Sequence, residues 1–211
     1  MTPRIPAVLT AADLPIAELA STRLDGEVFS LAGSWCPIDA LDGPPTRAGA
    51  IAPAAPRRAV AERVTAAWIY GLAPEPAEHQ FCVDVSARIG NQPGTGVRLR
   101  EVRIAADDIV LLARLRVTSP LRTAVDLARW GVGREQTGGA PHGAAADVAL
   151  LAGVLAYAGL GDGADDPVTR TGRLLASRRG VSFSRIAEAR LQEAFALLSR
   201  QTSPHTAVKS A

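Results

Sequence analysis

The stretch LRVTSPLRTAVDLARW, residues 115–130, brings Thr118, Ser119, Arg122, Asp126 and Arg129 close together in the chain. Hydroxyls and guanidinium groups bind phosphate, and a carboxylate beside them holds a proton or a metal, so the set suggests phosphoryl or nucleotidyl handling. The rest of such a site is absent from the neighbourhood. No histidine is close, no second carboxylate stands opposite Asp126, and no glycine-rich cradle precedes it. A helix accounts for the same residues. Ser119 caps it, and Pro120 fills the first position, where a missing N–H costs nothing. Leu121, Val125 and Ala128 make an apolar stripe flanked by Ala124 and Leu127. Arg122, Asp126 and Arg129 then form a solvated ladder, in which each exposed pair contributes about 0.3–0.5 kcal/mol.

Other chemistry-bearing residues are dispersed. Cys36 and Cys82 stand in strand-like runs without the paired spacing of a zinc site and are expected as buried thiols. His79 precedes a strand, while His142 and His205 fall in a loop and a tail. None has partners for a triad or a metal set. GLGDGADD, residues 159–166, carries carboxylates without the ligand order of a calcium loop and reads as a turn. No catalytic residue, metal or cofactor is therefore assigned.

Arginine remains, since Lys209 is the only lysine. The net charge of +2 is small, but its distribution is uneven: −3 over residues 1–56, +4 over 57–134, −5 over 135–166 and +6 over 167–211. Arg170, Arg173, Arg178, Arg179, Arg185 and Arg190 lie on a segment whose only carboxylates are Glu188 and Glu193, and are expected on exposed helix faces. A solvated face and a nucleic-acid contact explain that segment equally well. With 47% apolar residues the chain has ample material for a core. No run of about 18 apolar residues suggests a membrane span. The start, MTPRIPAVLTAADLP, has no apolar region of a secretory signal, so a cytoplasmic protein without membrane contact is expected.

The elements that must position these groups follow from the period of the pattern. Thr10 with Asp13, then Pro15 opening a helix with Ile16, Leu19, Ala20 and Leu24 on one face, precede a hairpin of EVFSL and SWCPI. Two short helices and a hairpin outline a winged-helix-like head, residues 1–43. A proline-rich connector, 44–56, packs on the core through Ile51 and its alanines. A mixed α+β core domain, 57–134, opens with a helix over 57–72 that turns Arg57, Arg58 and Glu62 to water. It continues with a one-face-buried strand, Phe81 to Ile89, a turn GNQPGTG, and a strand VRLREVRI with a bulge near Arg100 and Glu101 that leaves Arg98 and Arg103 outward. A helical turn or strand at 109–112 and a strand at 115–117 complete it. A C-terminal helical region, 135–198, buries Leu150, Leu151, Val154, Leu155 and Ala158, and a tail, 199–211, is expected to be disordered.

In order and in detail, LTAADLP with AELASTRLDGEVFSL, then AERVTAAWIYGL, then VRLREVRIAADDIVLLARLRVTSPLRTAVDLAR are similar to the actinobacterial AbiEi-type antitoxins of type IV toxin–antitoxin systems. The resemblance covers roughly residues 9–131, and its most specific parts are AAWIYGL at 66–72 and VTSPLRTAVDLAR at 117–129. It implies a winged-helix head joined to a mixed helix and antiparallel-sheet domain with C-terminal helices, an α+β fold. It also implies a transcriptional autoregulator that binds double-stranded promoter DNA. The functional partner would be a nucleotidyltransferase-like toxin, counteracted without stable direct binding. Some related proteins append a restriction-type nuclease; with no lysine before 209 this chain presents no acidic-x-Lys pair, and no enzyme is expected. The DNA-contact candidates are Arg23, Arg57, Arg58, Arg170, Arg173, Arg178, Arg179 and Arg185. A protein-interaction module of the same fold is the alternative, and an enzyme using Arg122 and Asp126 the third.

Overall fold

Short apolar runs broken by Gly and Pro cannot extend into long helices, and most of them become strands. The computed structural model describes residues 6–87, 96–131, 144–159 and 184–202. It is an α+β fold whose contacts divide the chain into residues 1–119 and 120–211. The division separates the strands from the helix at 120–130, which the sequence pattern had grouped in one domain.

In the first unit, helix α1 (Ile16–Leu24) precedes an antiparallel hairpin of β1 (Val28–Leu31) and β2 (Ser34–Pro37), to which Leu9 adds a bridge at Trp35. Thr10 donates both its amide and its hydroxyl to Asp13 Oδ2 at 2.8 Å, and the Asp13 amide returns to the Thr10 carbonyl at 2.9 Å, which closes a single turn and not a first helix. One helix therefore stands where the winged-helix outline expects two. Only Leu19 of its apolar face is buried, packed with Leu9, Val28, Leu14 and Trp35, while Ile16 is 64% and Leu24 88% exposed.

The connector is a helix, α2 (Pro44–Ile51), opened by Pro44 and burying Ala48, Ala50 and Ile51. Ser34 Oγ donates to the Ala50 carbonyl at 2.8 Å and ties the hairpin to it. The helix expected from residue 57 begins later. Val60–Ala61 form strand β3 and Arg63–Ile69 form α3, with Arg63 at φ 48° making the change from extended to helical backbone. The motif AAWIYGL is the core and stop of α3. Gly71 at φ 82° lets its own amide reach the Trp68 carbonyl and the Leu72 amide the Ala67 carbonyl, both at 2.9 Å, a Schellman end. Tyr70 Oη then donates to the Thr118 carbonyl at 2.7 Å.

Strands β4 (His79–Asp84), β5 (Val97–Val102), β6 (Ile109–Leu112) and β7 (Leu115–Thr118) complete a five-stranded sheet of order β5-β4-β3-β7-β6. It is mixed and not antiparallel: β3 with β7 and β4 with β5 run parallel. The antiparallel sheet expected around the turn GNQPGTG is thus replaced by a parallel pair of β4 and β5, and residues 88–95 lie outside the described residues. As an inner strand, β4 buries Gln80 and Cys82 on one face and Phe81 and Val83 on the other, so the alternation did not mark a wet face. β5 pairs continuously from Val97 to Val102 without the expected bulge. An edge strand that is half-buried at every residue but the exposed Glu101 tolerates the slip in alternation. Cys36 and Cys82 are buried and not joined in a disulfide.

The second unit packs α4 (Pro120–Trp130), α5 (Ala144–Gly159) and α6 (Ser184–Thr202) against one another. Ala187, Leu191 and Ala194 recur at helical spacing on the buried face of α6, opposite Leu151, Val154 and Leu155 of α5 and Val125 and Ala128 of α4. Leu150 and Ala158, expected in this core, are half-buried. Gly131, at φ 65°, follows α4 where a Cβ would come within 3.1 Å of Asp147 Oδ2.

Candidate nucleic-acid interface

Parallel strands begin at the same end of a sheet, so the residues leading into each of them become neighbours. Val60 pairs with Arg116 and Ala61 with Val117. The turn before β3 carries Arg57 and Arg58, and the β6–β7 turn carries Arg114. These three arginines and Arg116 line one cavity of about 300 Å³, whose other walls are alanines, Pro56 and Leu115. All four side chains are exposed at its rim. No carboxylate among the described residues lines the cavity or pairs with any of them.

The backbone there is strained. Arg58 (φ 66°), Ala113 (φ 43°) and Arg114 (φ 70°) occupy the left-handed region, which disfavours residues with a Cβ by about 1–2 kcal/mol each. Glycine would relieve that strain, yet arginine stands at two of the three positions. Arg47, Arg98 and Arg100 of this unit, by contrast, each meet a carboxylate. Arg47 forks onto Asp42 at 2.6 and 2.7 Å, Arg98 meets Glu78 at 3.0 Å, and Arg100 grips Glu62 with Nη2 at 2.6 Å and Nε at 3.0 Å. Arg47 also donates to the Trp68 carbonyl at 2.7 Å, and the beside-lying guanidinium holds the Asp42 carboxyl below the usual range.

Of the residues singled out in the sequence, the structure brings Arg57 and Arg58 together and adds Arg114 and Arg116, which sequence reasoning missed. Arg23 is exposed on α1, apart from any basic cluster in the sequence of the head, and Arg185 is exposed on the first turn of α6. Arg170, Arg173, Arg178 and Arg179 lie outside the described residues. Arg190 is not an exposed cation. Its Nη1 donates to the Ala128 carbonyl at 3.0 Å and closes the C-terminal end of α4.

Two carboxylates expected in water, Glu62 and Asp126, are interior. Glu62 is fully buried at the start of α3, held by Arg100 and, more loosely at 3.3 Å, by Arg63. Arg122 and Asp126 are 2% and 1% exposed, with Nε to Oδ2 at 2.7 Å. The spacing of four residues was legible as a pair, but α4 buries both its faces from residue 122 to residue 128, so the pair is inside the protein and closed to a substrate. His79 is half-buried beside Trp68, ring centroids 5.4 Å apart, and desolvation depresses its pKa to about 4. Among the described residues no group of three His, Cys, Asp or Glu side chains is placed to hold a metal. No helix among them is long and apolar enough to cross a membrane.

No family model matches the chain, and no curated protein matches it. Among solved structures it is similar to the Rv2827c protein of Mycobacterium tuberculosis, at 19% identity and a TM-score of 0.44. The similarity covers 96% of this chain and 78% of that one.

Proposed function

We propose that the protein is an AbiEi-like antitoxin: a cytoplasmic, non-enzymatic transcriptional autoregulator that binds the double-stranded promoter DNA of its toxin–antitoxin operon. Its functional partner is a nucleotidyltransferase-like toxin, counteracted without a stable complex. The motifs AAWIYGL and VTSPLRTAVDLAR support the family. The observation that carries DNA binding is the group of four exposed arginines, free of carboxylates among the described residues, where the inner strands β3 and β7 begin. Guanidinium groups so placed attract a phosphate backbone and orient the protein on it without reading bases. The acidic head, with Arg23 the one arginine on α1, supplies less charge than a winged-helix reader of DNA needs, so the grip on phosphate falls to the arginines at the start of β3 and β7 and to Arg170, Arg173, Arg178, Arg179 and Arg185.

A second reading is a protein-interaction module without DNA binding. It is favoured by the exposed apolar residues of the head, Ile16, Leu24, Ile38 and Leu41. The deciding experiment is retention of the chain's own upstream duplex in a gel shift, with repression of a reporter driven by that duplex. The autoregulator retains and represses. Repression lost in a variant carrying Arg57→Gln, Arg58→Gln, Arg114→Gln and Arg116→Gln supports the site. Absence of both activities in the wild type favours the second reading.

A further inference from the structure

We propose that the cavity framed by Arg57, Arg58, Arg114 and Arg116 is a pocket for an oligophosphate, two or more linked or neighbouring phosphate groups. For the nucleic-acid backbone as the source of those phosphates the proposal rests on the DNA-binding reading; a free nucleotide is the other source with the same chemistry.

Four observations lead here. The chain has 23 basic and 21 acidic residues, so carboxylates are not scarce, and Arg47, Arg98 and Arg100 in the same unit each have one. The four cavity arginines have none among the described residues, although their mutual repulsion would be relieved by one. Guanidinium is a donor without an acceptor lone pair, so only an anion or an oxygen dipole satisfies it, and its planar fork matches phosphate in two-point contact. A carboxylate ligand brings one negative charge to four positive ones, whereas linked phosphates bring several. Size agrees as well, since about 300 Å³ is at the lower limit of ligand pockets, roughly 300–1,000 Å³. Finally, left-handed Arg58 and Arg114 hold their side chains on tight turns of a hydrogen-bonded sheet, a strain that characteristically persists where a site is pre-formed.

The test is binding of pyrophosphate, followed by calorimetry and by the rise in Tm it produces, at low ionic strength. It is run on the full chain and on two double variants, Arg57→Gln/Arg58→Gln and Arg114→Gln/Arg116→Gln. All four residues are exposed, and the variants are expected to melt at or above the wild-type temperature in the absence of ligand, because like charges have been removed. The pocket predicts saturable binding that weakens about tenfold or more in each variant. Competition by a short duplex of random sequence assigns the phosphates to nucleic acid. Binding of pyrophosphate and a nucleoside triphosphate without competition by the duplex assigns them to a free nucleotide, and then the pocket stands while DNA binding through it fails. The pocket is overturned if pyrophosphate does not bind, or if binding is the same in both variants; retention of the promoter duplex by wild type and variants alike would show DNA contact elsewhere.

Discussion

Arginine plays two opposite parts in the two units of this chain. In the second unit Arg122 is buried in α4, its charge matched by Asp126 one helical turn away at 2.7 Å. In the first unit four arginines crowd the rim of one cavity with no carboxylate between them among the described residues. A buried guanidinium must be neutralised within the protein, because leaving it unpaired away from water is expensive. An exposed cluster remains charged and waits for a partner from outside. Pairing, more than residue type or charge density, separates the structural arginine from the candidate functional one.

The sharpest break of this contrast is to remove one half of a buried pair. Asp126→Ala removes the carboxylate that Arg122 Nε meets at 2.7 Å in the interior and is expected to lower stability by about 3–5 kcal/mol in chemical denaturation. Replacing both members, Arg122→Met with Asp126→Leu, is expected to recover most of that loss, since well-packed apolar residues substitute for a buried ion pair. A loss below about 1 kcal/mol for Asp126→Ala would mean that the pair behaves like a solvated one. Glu62→Gln tests the same rule in the first unit, where Arg100 and Arg63 converge on one carboxylate. A drop of about 3 kcal/mol is expected, reduced if Arg100, which is 22% exposed, turns to water.

A smaller effect is expected from pH. Folded His79 stays neutral down to about pH 4, while the unfolded residue takes up a proton near pH 6.5. The unfolded state therefore binds more protons in that window, and stability falls as pH drops from 6.5 to 4, then levels off. The loss is at most about 2 kcal/mol after allowance for partial solvent access, and the nearby Glu75 carboxylate at 3.8 Å reduces it further. Denaturation midpoints of wild type and His79→Gln across this range measure it; parallel pH profiles would contradict the assignment. Smallest is Arg58→Gly, which is expected to stabilise the protein by about 1 kcal/mol by releasing left-handed strain. A destabilisation would show that the Arg58 side chain holds the turn together.

Much of the fold was legible in residues whose local preferences agree with their final contacts. Pro120 opens α4, LRVT with Leu115 and Val117 buried becomes β7, Ile51 anchors its connector, and both thiols are buried. The errors share one cause. RRAVAERV has helical spacing, so β3, which is two residues long, has no period of its own to reveal it, and the turn into α3 uses Arg63 where a glycine would have announced the break. Without β3 its parallel pairing with β7 is invisible, and Arg57 and Arg58 have no reason to meet Arg114 and Arg116. Likewise the polarity of Glu62, Arg122 and Asp126 argued for water, because their neutralising partners are a matter of tertiary packing. The candidate site was half visible as charge and wholly invisible as a place.

The most direct test of that place is the salt dependence of binding to the chain's own upstream duplex, for wild type and for the variant with all four cavity arginines changed to glutamine. Each phosphate contact contributes about 0.9 to the slope of log affinity against log salt, so full engagement predicts a slope shallower by about 3.6 in the variant, with an unchanged Tm or a higher one. An unchanged slope in a variant of normal stability would contradict the account and return these four arginines to the solvent.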